Sequence, residues 1–277
     1  MTSIPARDLT LSVSEKNIFR IGSNTVFNGT FEKLLSALRD LSNDGVSHLV
    51  ITCNVDQTIN LTKDAELRSA YDKASLITLD GAPLVAIARA MGATEVHRIT
   101  GADLLPAVCK NAMFVGKKIA ITGGRDDTLR KAVTNLRAAY PQADVLDIPF
   151  PMLSSCDDKR SLSVISALHD ANPDIVFVCL GSPKQEAWYL TWQDQLPNAV
   201  YVGVGAAVDF AAGSVVRAPQ WLQGLGLEWT HRLLQEPKRL AHRYLIRGMV
   251  FVPIVLNSLW NHLFTRRKTA VFEATSD

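Results

Sequence analysis

Short apolar runs alternate with amphipathic stretches along most of this 277-residue chain, and that alternation restricts its fold more than any other feature. The apolar runs are Ile18–Ile21, His48–Thr52, Leu76–Leu79, Lys118–Ile121, Val145–Ile148, Ile175–Cys179 and Val200–Val204. Between them lie Phe31–Leu41, Asp64–Lys73, Pro83–Met91, Leu104–Val115, Thr128–Tyr140, Arg160–His169 and Gln185–Gln193, with apolar residues at helical spacing. Strands alternating with helices indicate right-handed crossovers and a mostly parallel sheet with helices on both faces, an α/β fold. The first dozen residues read as irregular. A chain of this length can bury a full core as one large domain, or as one domain with an appendage.

In such sheets ligands collect beyond the carboxyl ends of the strands. The residues there are unusually polar or glycine-rich: Thr52-Cys53-Asn54, Asp80-Gly81-Ala82-Pro83, Thr122-Gly123-Gly124-Arg125, Gly181-Ser182-Pro183-Lys184-Gln185-Glu186 and Gly205-Ala206-Ala207-Val208-Asp209. One such turn is ordinary loop chemistry. Five at one end of one sheet indicate a pocket.

Each candidate has a plain structural reading beside the chemical one. Asp80 precedes a helix start, so its carboxylate can act as a general base or cap the helix. Thr52 and Asn54 can meet a ligand's hydroxyls or satisfy their turn, and Gln185 can point into the cleft or out to water. Gly123-Gly124 lets backbone amides approach a phosphate at the next helix's N-terminus, but it lacks the Lys-Ser/Thr of a Walker loop. Gly203-Val204-Gly205 lacks the third glycine of the dinucleotide fingerprint. There is no HExxH, no Gly-x-Ser-x-Gly and no Asp-x-Asp, so no metal or other cofactor is expected.

The segment 228–277 differs from the rest in charge. It holds eight Lys and Arg against four acids, giving +4, while the remainder carries −2 within the formal +2 of the chain. A helix starting near Pro237 would place Arg239, Arg243 and Arg247 on one face. The apolar run Met249–Phe264 follows, interrupted by Pro253, Asn257 and Asn261, and is short for a membrane span. It can lie on or dip into a bilayer surface, with cations for anionic groups. Alternatively it is a terminal helix packed on its own core. Basic residues interleaved with an apolar run argue against nucleic acid. Four scattered cysteines without a CxxC pair, and an N-terminus without a signal pattern, lead us to expect a cytoplasmic protein.

The blocks LDGAP (79–83), RITGADL (98–104), the GG turn, GSPKQE (181–186), GVGAAVDFAAG (203–213), RAPQW (217–221) and GLEWTHRLLQEPKRLAHRY (226–244) resemble the WecG/TagA/CpsF family of bacterial glycosyltransferases. The resemblance runs from about residue 18 to 244. It implies a Rossmann-like α/β domain over 1–227 and a C-terminal membrane-binding appendage over 228–277. It also implies metal-independent, inverting transfer of a sugar from a UDP-sugar to a saccharide carried on undecaprenyl diphosphate, at the inner face of the bacterial plasma membrane. By position, the resemblance makes Asp80 the catalytic base and Thr52, Asn54 and Gln185 polar pocket residues. Arg232, Arg239 and Arg243 become the arginines that meet lipid diphosphate. Gly123, Gly124, Gly181 and Asp209 are our own assignments to the donor site. Two rivals fit the alternation alone, a nucleotide-binding oxidoreductase and a non-catalytic membrane-recruited scaffold. Self-association that hides the apolar tail is compatible with both the resemblance and the rivals.

Overall fold

A computed structural model of the chain describes residues 5, 8–224, 226–235, 237–238 and 247–274, excepting the side chains of residues 247 and 265–274. The chain opens with three short strands, β1 (Leu11–Val13), β2 (Phe19–Ile21) and β3 (Asn24–Thr25). It continues through α1 (Phe31–Leu41), β4 (His48–Cys53), α2 (Val55–Leu61), α3 (Ala65–Lys73), β5 (Leu76–Leu79), α4 (Ala82–Ala90) and α5 (Gly101–Lys110). Then come β6 (Lys118–Thr122), α6 (Asp126–Ala139), β7 (Asp144–Ile148), α7 (Ser161–Ala171), β8 (Ile175–Val178), α8 (Lys184–Trp192) and β9 (Val200–Gly203). Four described helices follow: α9 (Ala207–Ala211), α10 (Gln220–Gly224), α11 (Glu228–Gln235) and α12 (Phe251–Ala274).

Strands β4 to β9 form one six-stranded sheet in the order β5-β4-β9-β8-β6-β7, with every pairing parallel. Alternate residues feed opposite faces. Leu49, Ile51, Val176, Val178 and Tyr201 join one buried cluster, and Val50, Ile175, Phe177, Val200 and Val202 join the other. This two-sided burial is why the strands read as continuous apolar runs. The α/β expectation holds, and six of the seven runs are strands of this sheet.

The seventh run is not. Ile18–Ile21 contributes β2, which pairs antiparallel with β1 and β3 in a separate sheet. The links are too short for a parallel crossover, and the left-handed Asn17 (φ 58°) and Gly22 (φ 60°) reverse the chain instead. Leu11 is a buried strand residue, so the first dozen residues are not wholly irregular.

The C-terminal helix packs one face of its apolar run on the core, as the second sequence reading has it, and leaves the other face exposed. Phe251, Ile254 and Ser258 are buried, and the Leu11 N–H donates to Ser258 Oγ at 2.8 Å. Pro253 falls in the first turn, where its missing N–H costs nothing, so it does not break the helix. On the outward face Val252, Leu256, Trp260 and Leu263 are each more than half exposed. Among the described residues no helix is long and apolar enough to cross a membrane. Pro237 and Lys238 are helical, whereas Arg239 and Arg243 lie outside the described residues, as does the side chain of Arg247.

Candidate active site

Four neighbouring strands, β5, β4, β9 and β8, end at one cleft of about 540 Å³. Thr52, Asn54, Asp80, Gly181, Gln185 and Asp209 line it, together with Arg98, Phe210, Glu228, Trp229 and Arg232. Its size is that of a pocket for a small organic ligand. The parallel sheet brings these residues together, because every strand delivers its carboxyl end to the same rim.

Asp80 follows the last residue of β5. Its backbone N–H donates to the Cys53 carbonyl at 2.7 Å, which fixes the residue against β4. Its carboxylate does not cap α4: the N-cap residue is Gly81, with no side-chain cap. Among the described residues its carboxyl makes no hydrogen bond. Burial pushes it from 3.8 to about 7; the Arg98 cation opposes that rise, as does Arg232 more weakly, while Glu228 and Asp103 add to it. A carboxyl in this condition is balanced between acid and base near neutral pH.

Thr52 is buried and its hydroxyl donates to the Gly203 carbonyl at 2.7 Å, tying β4 to β9. Asn54 caps α2, its Oδ1 accepting from Gln57 N at 3.1 Å, while its amide NH2 makes no hydrogen bond among the described residues. The intervening helix α2 was not legible in the sequence; the cap and a buried Gln57-Thr58-Ile59-Asn60-Leu61 show why, since polar residues occupy its inward face.

Gln185 points inward. Its Oε1 accepts from the Gly205 N–H at 3.1 Å, and its Nε2 donates to Glu186 Oε1 at 2.9 Å. Glu186 is fully buried and also receives Gln57 Nε2 at 3.4 Å, while Tyr71 donates to Gln57 Oε1 at 2.7 Å. Burial holds the Glu186 carboxyl above the usual carboxylate range. This internal chain of hydrogen bonds sets which way the Gln185 amide faces.

Gly123 and Gly124 are not among the cleft-lining residues. Strand β6 lies outside β8, so its turn packs against the segment after β8 and against α9 instead. A Cβ on Gly123 would sit 2.8 Å from the Cys179 backbone, and one on Gly124 2.9 Å from Val208. Both have positive φ. Close approach and left-handed backbone therefore account for both glycines.

A charged cluster that sequence reasoning did not single out borders the cleft through Arg98 and Glu228. Arg98 pairs with Glu228 and donates to the Gln223 carbonyl at 3.1 Å. Arg217 pairs with Asp103, and with Glu228 at 3.5 Å. Arg98 is set beside Asp80 by a parallel bridge to Leu79, where Ile99 N donates to the Leu79 carbonyl at 2.7 Å. Gly226, at φ +74°, brings the α10–α11 turn so near α4 that a Cβ there would lie 2.8 Å from that of Ala82. The cluster thus holds α11 over the Asp80 end of the cleft. The blocks RITGADL and RAPQW carried a signal for Arg98, Asp103 and Arg217, but only pairing across more than a hundred residues gives it meaning. Among the described residues no group of three or more His, Cys, Asp or Glu is arranged to hold a metal ion.

A comparison with protein-family models matches residues 19–265 to the Glycosyl transferase WecG/TagA/CpsF family.

Proposed function

The chain belongs to the WecG/TagA/CpsF family of glycosyltransferases, and on that premise we propose that it moves a sugar from a UDP-sugar to a saccharide on undecaprenyl diphosphate, with inversion and without a metal. The observation that carries the reading is Asp80: a carboxyl with no hydrogen-bond partner among the described residues, in a cleft, lifted to about 7.

In the proposed reaction an acceptor hydroxyl attacks the anomeric carbon as the carbon–oxygen bond to the UDP phosphate breaks. The hydroxyl proton passes to Asp80, and the bonding electrons leave with UDP. One base on one face suits a single displacement. Negative charge grows on the leaving phosphate, and Arg232, a cation of the cleft lining with no ion pair among the described residues, is assigned to it. Arg suits phosphate through its planar, forked donors. Asp209, at the start of α9, and the Asn54 amide are assigned to donor hydroxyls, and Gly181, at positive φ, to close backbone approach. Arg239 and Arg243 keep their proposed role toward lipid diphosphate.

The outward apolar face of α12 supports a peripheral position on a bilayer: Val252, Leu256, Trp260 and Leu263 form a stripe at helical spacing. We place that bilayer at the inner face of the bacterial plasma membrane.

The test measures UDP release with a panel of UDP-sugars and a synthetic prenyl-diphosphate-linked saccharide. Asp80→Asn is expected to abolish transfer while UDP still binds, and EDTA is expected to leave the rate unchanged. Full activity of Asp80→Asn would remove the base, and inhibition by EDTA reversed by Mg²⁺ would remove the metal-free step. Co-sedimentation with anionic vesicles, lost in Leu256→Asp/Trp260→Asp without loss of thermal stability, tests the membrane position.

A further inference from the structure

Two guanidinium groups approach the ring of Phe210, an apolar residue of the cleft. The Arg217 guanidinium carbon lies 5.8 Å from the ring centroid, and that of Arg232 lies 5.2 Å away. Their other contacts differ. Arg217 is committed to Asp103 and Glu228. For Arg232, no hydrogen bond or ion pair occurs among the described residues, and its Nε is buried without a partner. The contact that holds its head group is therefore the aromatic face.

Such a contact has a definite use. A long arginine stem has about 2 kcal/mol of rotamer entropy to lose on ordering. A cation over an aromatic face, within about 6 Å of the ring centroid, is favoured without its N–H groups being consumed. A carboxylate would have held Arg232 as firmly, but it would have taken up the donors and the charge. Phe210 and Arg232 both line the cleft.

We propose that Phe210 is a positioning residue, whose ring holds Arg232 in the cleft with its donors free for a pyrophosphate group. The proposal rests on the transferase reading, in which pyrophosphate occurs on the nucleotide donor and on the lipid acceptor alike. Its test therefore reads binding rather than turnover.

Calorimetric titration of the full chain with inorganic pyrophosphate, with UDP and with a short-chain prenyl diphosphate separates the two sources. In Phe210→Leu, pyrophosphate affinity is expected to fall about fivefold, and in Phe210→Tyr to stay within about twofold. The double variant Phe210→Leu/Arg232→Gln is expected to bind no more weakly than Arg232→Gln alone, because the ring acts through the guanidinium. If Phe210→Leu does not fold, Phe210→Met supplies apolar bulk without a ring. Additive losses in the double variant would overturn the proposal, as would equal losses in the Tyr and Leu variants or unchanged affinity in a folded Leu variant. A loss confined to UDP assigns the site to the donor, and one confined to the prenyl diphosphate assigns it to the acceptor. A wild-type protein that binds pyrophosphate in this coupled way yet transfers no sugar would count against the transferase reading alone.

Discussion

Asp80→Asn is expected to make the protein more stable at the pH where it makes it inactive. Folding lifts the Asp80 carboxyl from 3.8 to about 7, chiefly through burial. The folded protein therefore keeps this proton over a range in which the unfolded chain has already lost it. The contribution of Asp80 to stability is greatest below about pH 4, falls between about pH 4 and 7, and is level above. At 1.36 kcal/mol per pH unit, the gap between 3.8 and about 7 corresponds to about 4 kcal/mol. Asparagine keeps the shape, carries no charge and breaks no hydrogen bond among the described residues. At pH 8 the variant should melt about 8–16 °C above the wild type, at about 2–4 °C per kcal/mol for a chain of this size. The difference should shrink as the pH falls toward 4.5. Thermal denaturation across pH 4.5–8.5, beside kcat/KM over the same range, provides the assay. The wild-type rate should fall tenfold per pH unit below about 7, as a base is titrated. A variant less stable at pH 8, or a melting difference that does not change with pH, would refute the reasoning. So would an acid limb near pH 4.

Three further outcomes follow from other contacts. Arg98 holds the Asp80 carboxyl down, so Arg98→Gln should move the acid limb of kcat/KM to higher pH, and an unmoved limb would remove Arg98 from control of the base. Gly203→Ala would put a Cβ 2.5 Å from Gln185 Nε2; loss of the Gln185–Gly205 hydrogen bond and of most turnover is expected, with a stability cost of about 1–3 kcal/mol in urea denaturation. Ser258→Ala leaves the buried Leu11 N–H without its acceptor; a lower urea midpoint at constant slope, equivalent to about 1–3 kcal/mol, is the expected result.

The elements of the main sheet were legible because parallel strands buried on both faces are simple apolar runs, and amphipathic helices carry their own period. Six strands and seven helices were located in this way. Elements whose inward faces are polar or very short escaped notice: α2, with Gln57, Thr58 and Asn60 buried, and the five-residue α9 and α10. Their stability comes from neighbours rather than from pattern.

The same division runs through the site. The residues after each strand marked Thr52, Asn54, Asp80, Gln185 and Asp209, since a parallel sheet must present those positions at one end. The sequence left open what each side chain does there. Tertiary structure decided that Asp80 leaves α4 uncapped, and that Gln185 turns inward along a chain of hydrogen bonds through Glu186, Gln57 and Tyr71. It also decided that Gly123 packs against the segment after β8 and Gly124 against α9, and that Arg98 and Arg217 meet Glu228 across 130 and 11 residues of chain. A local pattern carries the period of one element at a time. Burial, charge pairing and hydrogen-bond direction depend on which distant element arrives alongside, and only the folded chain specifies that.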